Sequence, residues 1–258
     1  MSQFYNKKKL NFLYFRFVLK YFFLIFLFFC LVFFIYNELK NKERIHNLIQ
    51  IFSNKFDYNF KDYKINTLER VDKVKISEIM NQYIGESIFL IPLNIISENL
   101  HNLKWIKNIN LTTNLKNQIY IEIVEYKSIG LYAFNDRLFY FSNKGKIIDQ
   151  LNKKNNESFI VFYGNQSLKK ADNFLNKIDK INLTDIFKIK EAHFINNRRW
   201  NVKLNNDLLL YLSEKNIETS FINFIKLLDS LKESEINSIR SIDLRNDKKA
   251  IISFKIDD

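Results

Sequence analysis

The sequence predicts an α+β protein. A single N-terminal helix holds it to a membrane, a compact β-α-α-β-β module follows, and a mainly antiparallel β domain with helices completes it. Three observations carry this. Phe17, Val18, Leu19 and Lys20 lead into sixteen uncharged, almost wholly apolar residues, Tyr21 to Tyr36. Beyond that run, helical and strand periodicities alternate over roughly 220 residues, enough to bury a core, with no repeat and no low-complexity linker. The one cysteine, Cys30, lies inside the apolar run, so the rest of the chain cannot be a disulfide scaffold. The expected boundaries are a tail over 1–16, a membrane helix over 17–37, a juxtamembrane stalk over 38–56, a first module over 57–125 and a second over 126–258.

A helix of about twenty residues spans roughly 30 Å, the thickness of a bilayer core. Its Leu, Ile, Phe and Val residues favour insertion by on the order of 5 kcal/mol in sum. Lys20 sits within a turn of the end, where its ammonium can reach the interface. The exit reads Tyr36-Asn37-Glu38-Leu39-Lys40, without the small residues a cleavable signal needs, so an uncleaved anchor is expected. Lys7, Lys8, Lys9, Arg16 and Lys20 precede the span with no acid among residues 1–36, whereas Lys40, Lys42 and Arg44 are mixed with Glu38 and Glu43. The positive-inside rule then puts the N-terminus in the cytoplasm and the folded part outside it. The net charge of +12 comes from scattered lysines in a chain rich in Asn, Ile and Phe, a pattern that does not point to nucleic acid.

The modules follow element by element. Ile45, Leu48, Ile49 and Phe52 share a helical face in the stalk. Tyr63 to Leu68 reads as a strand. Ile76, Ile79, Met80 and Tyr83 form a helical stripe that Gly85 can end. Pro92 opens a second helix with Leu93, Ile96, Leu100 and Leu103 on one side. Trp105, Ile109 and Leu111 alternate as a strand, as do Ile119, Ile121 and Ile123. One three-stranded sheet under two helices buries all these faces. In the second module, Leu131 to Phe134 and Leu138 to Phe141 flank the turn Asn135-Asp136-Arg137. Asn143-Lys144-Gly145 turns into Lys146 to Asp149, and Phe159 to Tyr163 is a short run ended by Gly164. Leu168, Ala171, Leu175 and Ile178 mark a helix. Trp200, Val202 and Leu204 alternate, turn at Asn205-Asn206-Asp207 and return as Leu208, Leu210 and Leu212. Ile217, Phe221, Phe224, Leu228 and Leu231 form a strongly amphipathic helix. Ser238 to Leu244 and Ala250 to Ile256 are the final strands.

No catalytic frame is present. There is no G-x-G-x-x-G, P-loop or H-E-x-x-H. The four glycines, Gly85, Gly130, Gly145 and Gly164, are isolated, and His46, His101 and His193 lie in three different elements. Asp243 and Arg245 flank Leu244 and can pair, but a surface ion pair is worth under ~1 kcal/mol. Glu122 and Glu125 are oddly spaced along one strand and so face opposite ways. No catalytic residue, cofactor or metal is expected. The last strand is the more informative feature. If it lies at a sheet edge, its free N–H and C=O groups can take a partner's strand; a fully paired core strand is the other reading.

In order and spacing the chain resembles the bacterial cell-division proteins of the FtsQ/DivIB family. The layout is similar: a basic tail, one span, and a β-α-α-β-β module that looks like a POTRA domain. Leu100-His101-Asn102-Leu103-Lys104-Trp105-Ile106 resembles the family's leucine-to-tryptophan step between helix and strand. Ile119-Tyr120-Ile121-Glu122-Ile123-Val124-Glu125 resembles its strand ending in glutamate. Arg199-Trp200-Asn201-Val202 and Ile242-Asp243-Leu244-Arg245 complete the set. The chain departs from the pattern at Glu69-Arg70, where the family usually has glycine, and at Lys116 and Ser128, where it has proline. The resemblance implies a non-catalytic scaffold linking early and late division proteins at the septum. It also implies strand addition of small coiled-coil partners of the FtsB and FtsL type beside the last strand, at Asn246, Lys248, Ala250, Ile252 and Phe254, and other division proteins at the POTRA-like module. The expected location is the inner membrane at midcell, single-pass, with the folded domains periplasmic. A POTRA-containing component of outer-membrane assembly or secretion, and an exported anchored hydrolase, are the competing classes.

Overall fold

The computed structural model describes residues 17–33, 35–36, 42–152, 158–181, 183 and 187–255. Residues 17–33 and 35–36 are helical and leave their large apolar side chains exposed. Among the described residues no helix is long and apolar enough to cross a membrane. The expected tail, and residues 34 and 37 of the expected span, lie outside the described residues.

The chain forms two compact units. One takes in residues up to Thr67 together with Asp72–Leu100 and Ile109–Glu122. The other takes in Leu68–Val71, His101–Asn108 and everything from Ile123 onward.

In the first unit, helix α1 (Lys42–Phe56) precedes β1 (Asp62–Ile65), α2 (Lys73–Asn81), α3 (Leu93–His101), β2 (Ile106–Thr113) and β3 (Gln118–Glu125), the last two strands running on into the second. The sheet order is β1-β3-β2, with β1 parallel to β3. Strand alternation in β3 buries Ile119 and Ile121 and turns Tyr120 and Glu122 outward. Ile76 and Met80 of α2 and Ile96 and Leu100 of α3 are fully buried, as the helical stripes require. Asp72 caps α2 by accepting from the Val74 N–H. The helix ends at Asn81 rather than at Gly85, and α3 stops at His101, short of Leu103. Gly85, at φ +92°, instead donates its N–H to Phe60 O at 2.9 Å. Gln50 and Ser53 tie one face of α1 to Ser87. Ser53 is buried with its hydroxyl 2.6 Å from that of Ser87, and Gln50 accepts from the Ser87 N–H at 2.9 Å.

The second unit is a nine-stranded sheet in the order β12-β11-β10-β9-β8-β7-β4-β5-β6. Its strands are β4 (Ser128–Phe134), β5 (Arg137–Ser142), β6 (Ile147–Gln150), β7 (Val161–Tyr163), β8 (Ile189–Ile195), β9 (Arg199–Leu204), β10 (Leu209–Leu212), β11 (Ile239–Asn246) and β12 (Lys249–Phe254). Helices α4 (Ser167–Ile178) and α5 (Ile217–Ser230) pack against each other and on the sheet, and short α6 (Glu233–Ser238) leads into β11. The sheet is mainly antiparallel, as expected, but β4 with β7, β7 with β8, and β10 with β11 pair in parallel. Parallel neighbours need a crossover, and α4 and α5 are helices on two of those connections. β8 and α6 had no counterpart in the sequence reading.

The core is strongly aromatic. Trp200 lies 4.7 Å from Phe174, 4.7 Å from Phe194 and 5.7 Å from Phe162, centroid to centroid. The first hairpin turns on two residues rather than three, Asn135 and Asp136, at φ 47° and 57°; this is the left-handed pair that matches strand twist, with Arg137 already in β5.

Candidate functional site

Two places in the second unit draw polar groups together. The first is the end of β3. The Glu125 carboxylate accepts three successive backbone N–H groups, from Glu69 at 2.9 Å, Arg70 at 2.9 Å and Val71 at 2.7 Å. Burial alone would raise its pKa. The three N–H bonds and the nearby Arg70 charge outweigh that and hold the carboxyl below its ordinary value. Neither Glu69 nor Arg70 has a positive φ, so the loop does not need the glycine the family usually places there. Trp105 stands outside β2 at φ +70°, not within the strand as its alternation suggested. Its carbonyl accepts from the Tyr126 N–H at 2.7 Å and its indole N–H reaches Asp149 at 3.2 Å. The Arg70 guanidinium lies 5.1 Å from the Trp105 ring and 5.6 Å from the Tyr140 ring, within cation–π range. Glu122 has a different role, accepting from Asn110 at 3.1 Å, so the two glutamates do not act together.

The second place is the last strand. β12 is at the end of the sheet order and, among the described residues, pairs with β11 alone, so its other side is an open edge there. Several bonds fix β11 and the turn that leads into β12. Buried Ser220 of α5 accepts from the Ser213 N–H at 2.9 Å, and its hydroxyl lies 3.2 Å from Leu244 O of β11. Asn223 donates to Asp247 O at 3.0 Å, and Asn246 Oδ1 accepts from the Lys248 N–H at 2.9 Å, which closes the β11–β12 turn. Register shifts between Ile239 and Ser241 and between Asp243 and Asn246 bend the pair.

The five residues expected here divide. Asn246, Lys248 and Ala250 sit at the tip and line a shallow depression of about 260 Å³ with Asn223 and Leu227 of α5. Ile252 is half-buried and packs on the core. Phe254, opposite Ile239, is 56% exposed. On the other face Ile251 is 66% exposed and borders an open groove of about 570 Å³ with Arg198, Arg199, Asp243, Arg245 and Lys249. Arg245 grips Asp243 with Nε at 2.8 and 2.9 Å and with Nη2. These hydrogen bonds hold the Asp243 carboxyl below its usual range. The groove draws on three segments, within residues 198–199, 213–215 and 243–251; the family resemblance already sets Arg199 beside Asp243 and Arg245, and nothing in the sequence joins the rest to them. Among the described residues no group of His, Cys, Asp and Glu is placed to hold a metal ion.

Two family models match this chain. Residues 59–126 match the POTRA domain of FtsQ type, and residues 132–245 match the C-terminal region of the cell division protein FtsQ/DivIB. The chain belongs to the FtsQ/DivIB family. Glu125 falls inside the POTRA match, while β12 lies beyond the end of the FtsQ/DivIB C-terminal match. Cell division protein FtsQ of Rickettsia typhi (strain ATCC VR-144 / Wilmington) is 27% identical over 220 residues, covering 81% of this chain and 77% of the relative. The FtsQ of Rickettsia prowazekii (strain Madrid E) is 27% identical over 210 residues, covering 81% and 76%. That of Rickettsia bellii (strain RML369-C) is 28% identical over 187 residues, covering 71% and 68%.

Proposed function

We propose that this FtsQ/DivIB-family chain is a non-catalytic scaffold of the division machinery. A single span over residues 17–37 anchors it in the inner membrane at midcell, with the N-terminus cytoplasmic and the folded domains periplasmic. The observation that carries the reading is the open edge of β12. An extended segment of a small coiled-coil division protein of the FtsB or FtsL type adds a strand there, drawing affinity from backbone pairing and selectivity from side chains beside it. Asn246, Lys248 and Ala250 meet the partner at the hairpin tip, Ile252 holds the strand on its core, and Phe254 is the aromatic anchor. The division names of the relatives support the cellular role.

The test is a pull-down of the FtsB-type partner with full-length protein. Phe254→Ala, and separately Lys248→Glu, should weaken capture about tenfold or more while circular dichroism stays unchanged. Undiminished capture by both variants would remove the strand edge from the reading. Fluorescent fusions at each terminus, imaged in dividing cells, test the rest: a midcell band is expected, and uniform envelope signal would favour a role in transport or assembly.

A further inference from the structure

Helix α1 carries an apolar stripe that its own unit does not cover. At 100° per residue, Arg44, Leu48, Ile51 and Lys55 fall within about 60° of one another, with Phe52 on the shoulder and Phe56, the last residue of the helix, between the azimuths of Ile45 and Ile49. Ile45, Ile49, Gln50 and Ser53 take the seated side. Leu48 is 66% exposed and Ile51 63%. The shoulder continues into an aromatic cluster: Phe52 lies 4.6 Å from Phe56 and 6.0 Å from Tyr58, and Tyr58 lies 5.5 Å from Phe89. All three of these phenylalanines are at least half exposed. Soluble surfaces rarely leave so contiguous an apolar patch uncovered.

We infer that α1 lies on the outer surface of the bilayer, with Leu48, Ile51 and Phe52 in the interface between headgroups and acyl chains. The inference rests on the proposed anchoring by residues 17–37. Two observations select lipid as the occupant. Only residues 37–41 separate the apolar run from Lys42, and five residues reach at most about 18 Å, so the start of α1 is held close to the membrane. Arg44 and Lys55 also sit on the same azimuth as Leu48 and Ile51, at the two ends of the stripe. At a bilayer surface the stem of Lys55, whose ammonium lies 5.7 Å over the Phe56 ring, lies in the apolar layer and its head reaches anionic headgroups. Lys42, Arg44 and Lys55 against Glu43 give α1 a positive balance, the sign an anionic surface attracts.

The test uses the full chain with Cys30→Ser, reconstituted in vesicles of roughly three parts phosphatidylcholine to one part phosphatidylglycerol. Single cysteines placed in turn at Ile25, Glu43, His46, Leu48, Ile51 and Phe52 carry a fluorophore, and brominated acyl chains serve as quencher. About twofold or greater quenching is expected at Ile25, Leu48, Ile51 and Phe52, with little at Glu43 and His46. Quenching at Ile25 with Leu48, Ile51 and Phe52 as open to aqueous iodide as Glu43 would overturn the inference and leave the anchor standing. Quenching that falls with distance from residue 36 whatever the face would also overturn it, because α1 would then be an upright stalk. No quenching at Ile25 would defeat the anchoring itself, and the inference with it.

Discussion

Replacing Glu125 tests whether one carboxylate holds the loop at residues 69–71. Its Oε1 takes the N–H groups of Arg70 and Val71 and its Oε2 that of Glu69. In Glu125→Ala the three donors lose their acceptor together. Glu69 is exposed and turns to water at little cost, Arg70 is half-buried, and Val71 is 6% exposed. A stranded buried donor costs about 1–3 kcal/mol, so Val71 in full and Arg70 in part put the loss at roughly 2–4 kcal/mol. Glu125→Gln keeps an acceptor for Arg70 and Val71 but sets an amide N–H₂ against the Glu69 N–H, for a loss of about 1–2 kcal/mol. Urea unfolding followed by tryptophan fluorescence reads this near the site, since Trp105 bonds to Tyr126, the neighbour of Glu125. The folded-state pKa of Glu125 is depressed, so its contribution is complete above the ordinary carboxyl value near 4.5 and is lost as pH falls through the lower folded value. Wild type should therefore lose stability below about pH 4.5 with a steeper slope than Glu125→Gln. An unchanged midpoint in Glu125→Ala, or parallel pH profiles for wild type and Glu125→Gln, would refute the argument.

Other outcomes follow from the same structure. Trp200→Ala removes the ring that Phe162, Phe174 and Phe194 surround and should cost about 3–5 kcal/mol in an unfolding titration. Gly164→Ala meets φ +103° and a Cβ only 2.5 Å from Phe194 O, so a loss of at least about 1–3 kcal/mol should appear as a lowered Tm. Arg245→Ala should change unfolding stability by less than about 1 kcal/mol despite its tight grip on Asp243, because the Arg245 side chain is 49% exposed.

Much of this architecture is legible from local pattern. Ile119, Ile121 and Ile123 alternate without interruption, and so do Trp200, Val202 and Leu204; each set is the buried face of its strand. β8 escapes for a physical reason. A register shift between Ile189 and Glu191 breaks the phase, so the buried residues are Ile189, Ala192 and Phe194 rather than an alternating set. α6 is short and polar, with no buried face to leave a period. Trp105 mimics the alternation of β2 because its parity is right, yet its left-handed backbone puts it outside the strand. The clamp at Glu125 joins positions 54 to 56 residues apart, beyond any local pattern. The open edge of β12 depends on the order of strands in space, which periodicity does not encode, and the basic groove beside Ile251 is assembled from three separate segments.

The open edge also bears on how copies of the chain avoid one another. Exposed strand edges invite self-pairing and aggregation. Lys248 and Lys249 stand at the start of β12 and Lys255 just past its end. Two copies meeting edge to edge in antiparallel fashion would bring the lysines at the start of one strand against Lys255 of the other. Like charges opposed across strands destabilise such a pair. The arrangement leaves the backbone available while penalising its most abundant competitor, an identical neighbour, so substituting these lysines with neutral residues trades selectivity for self-association.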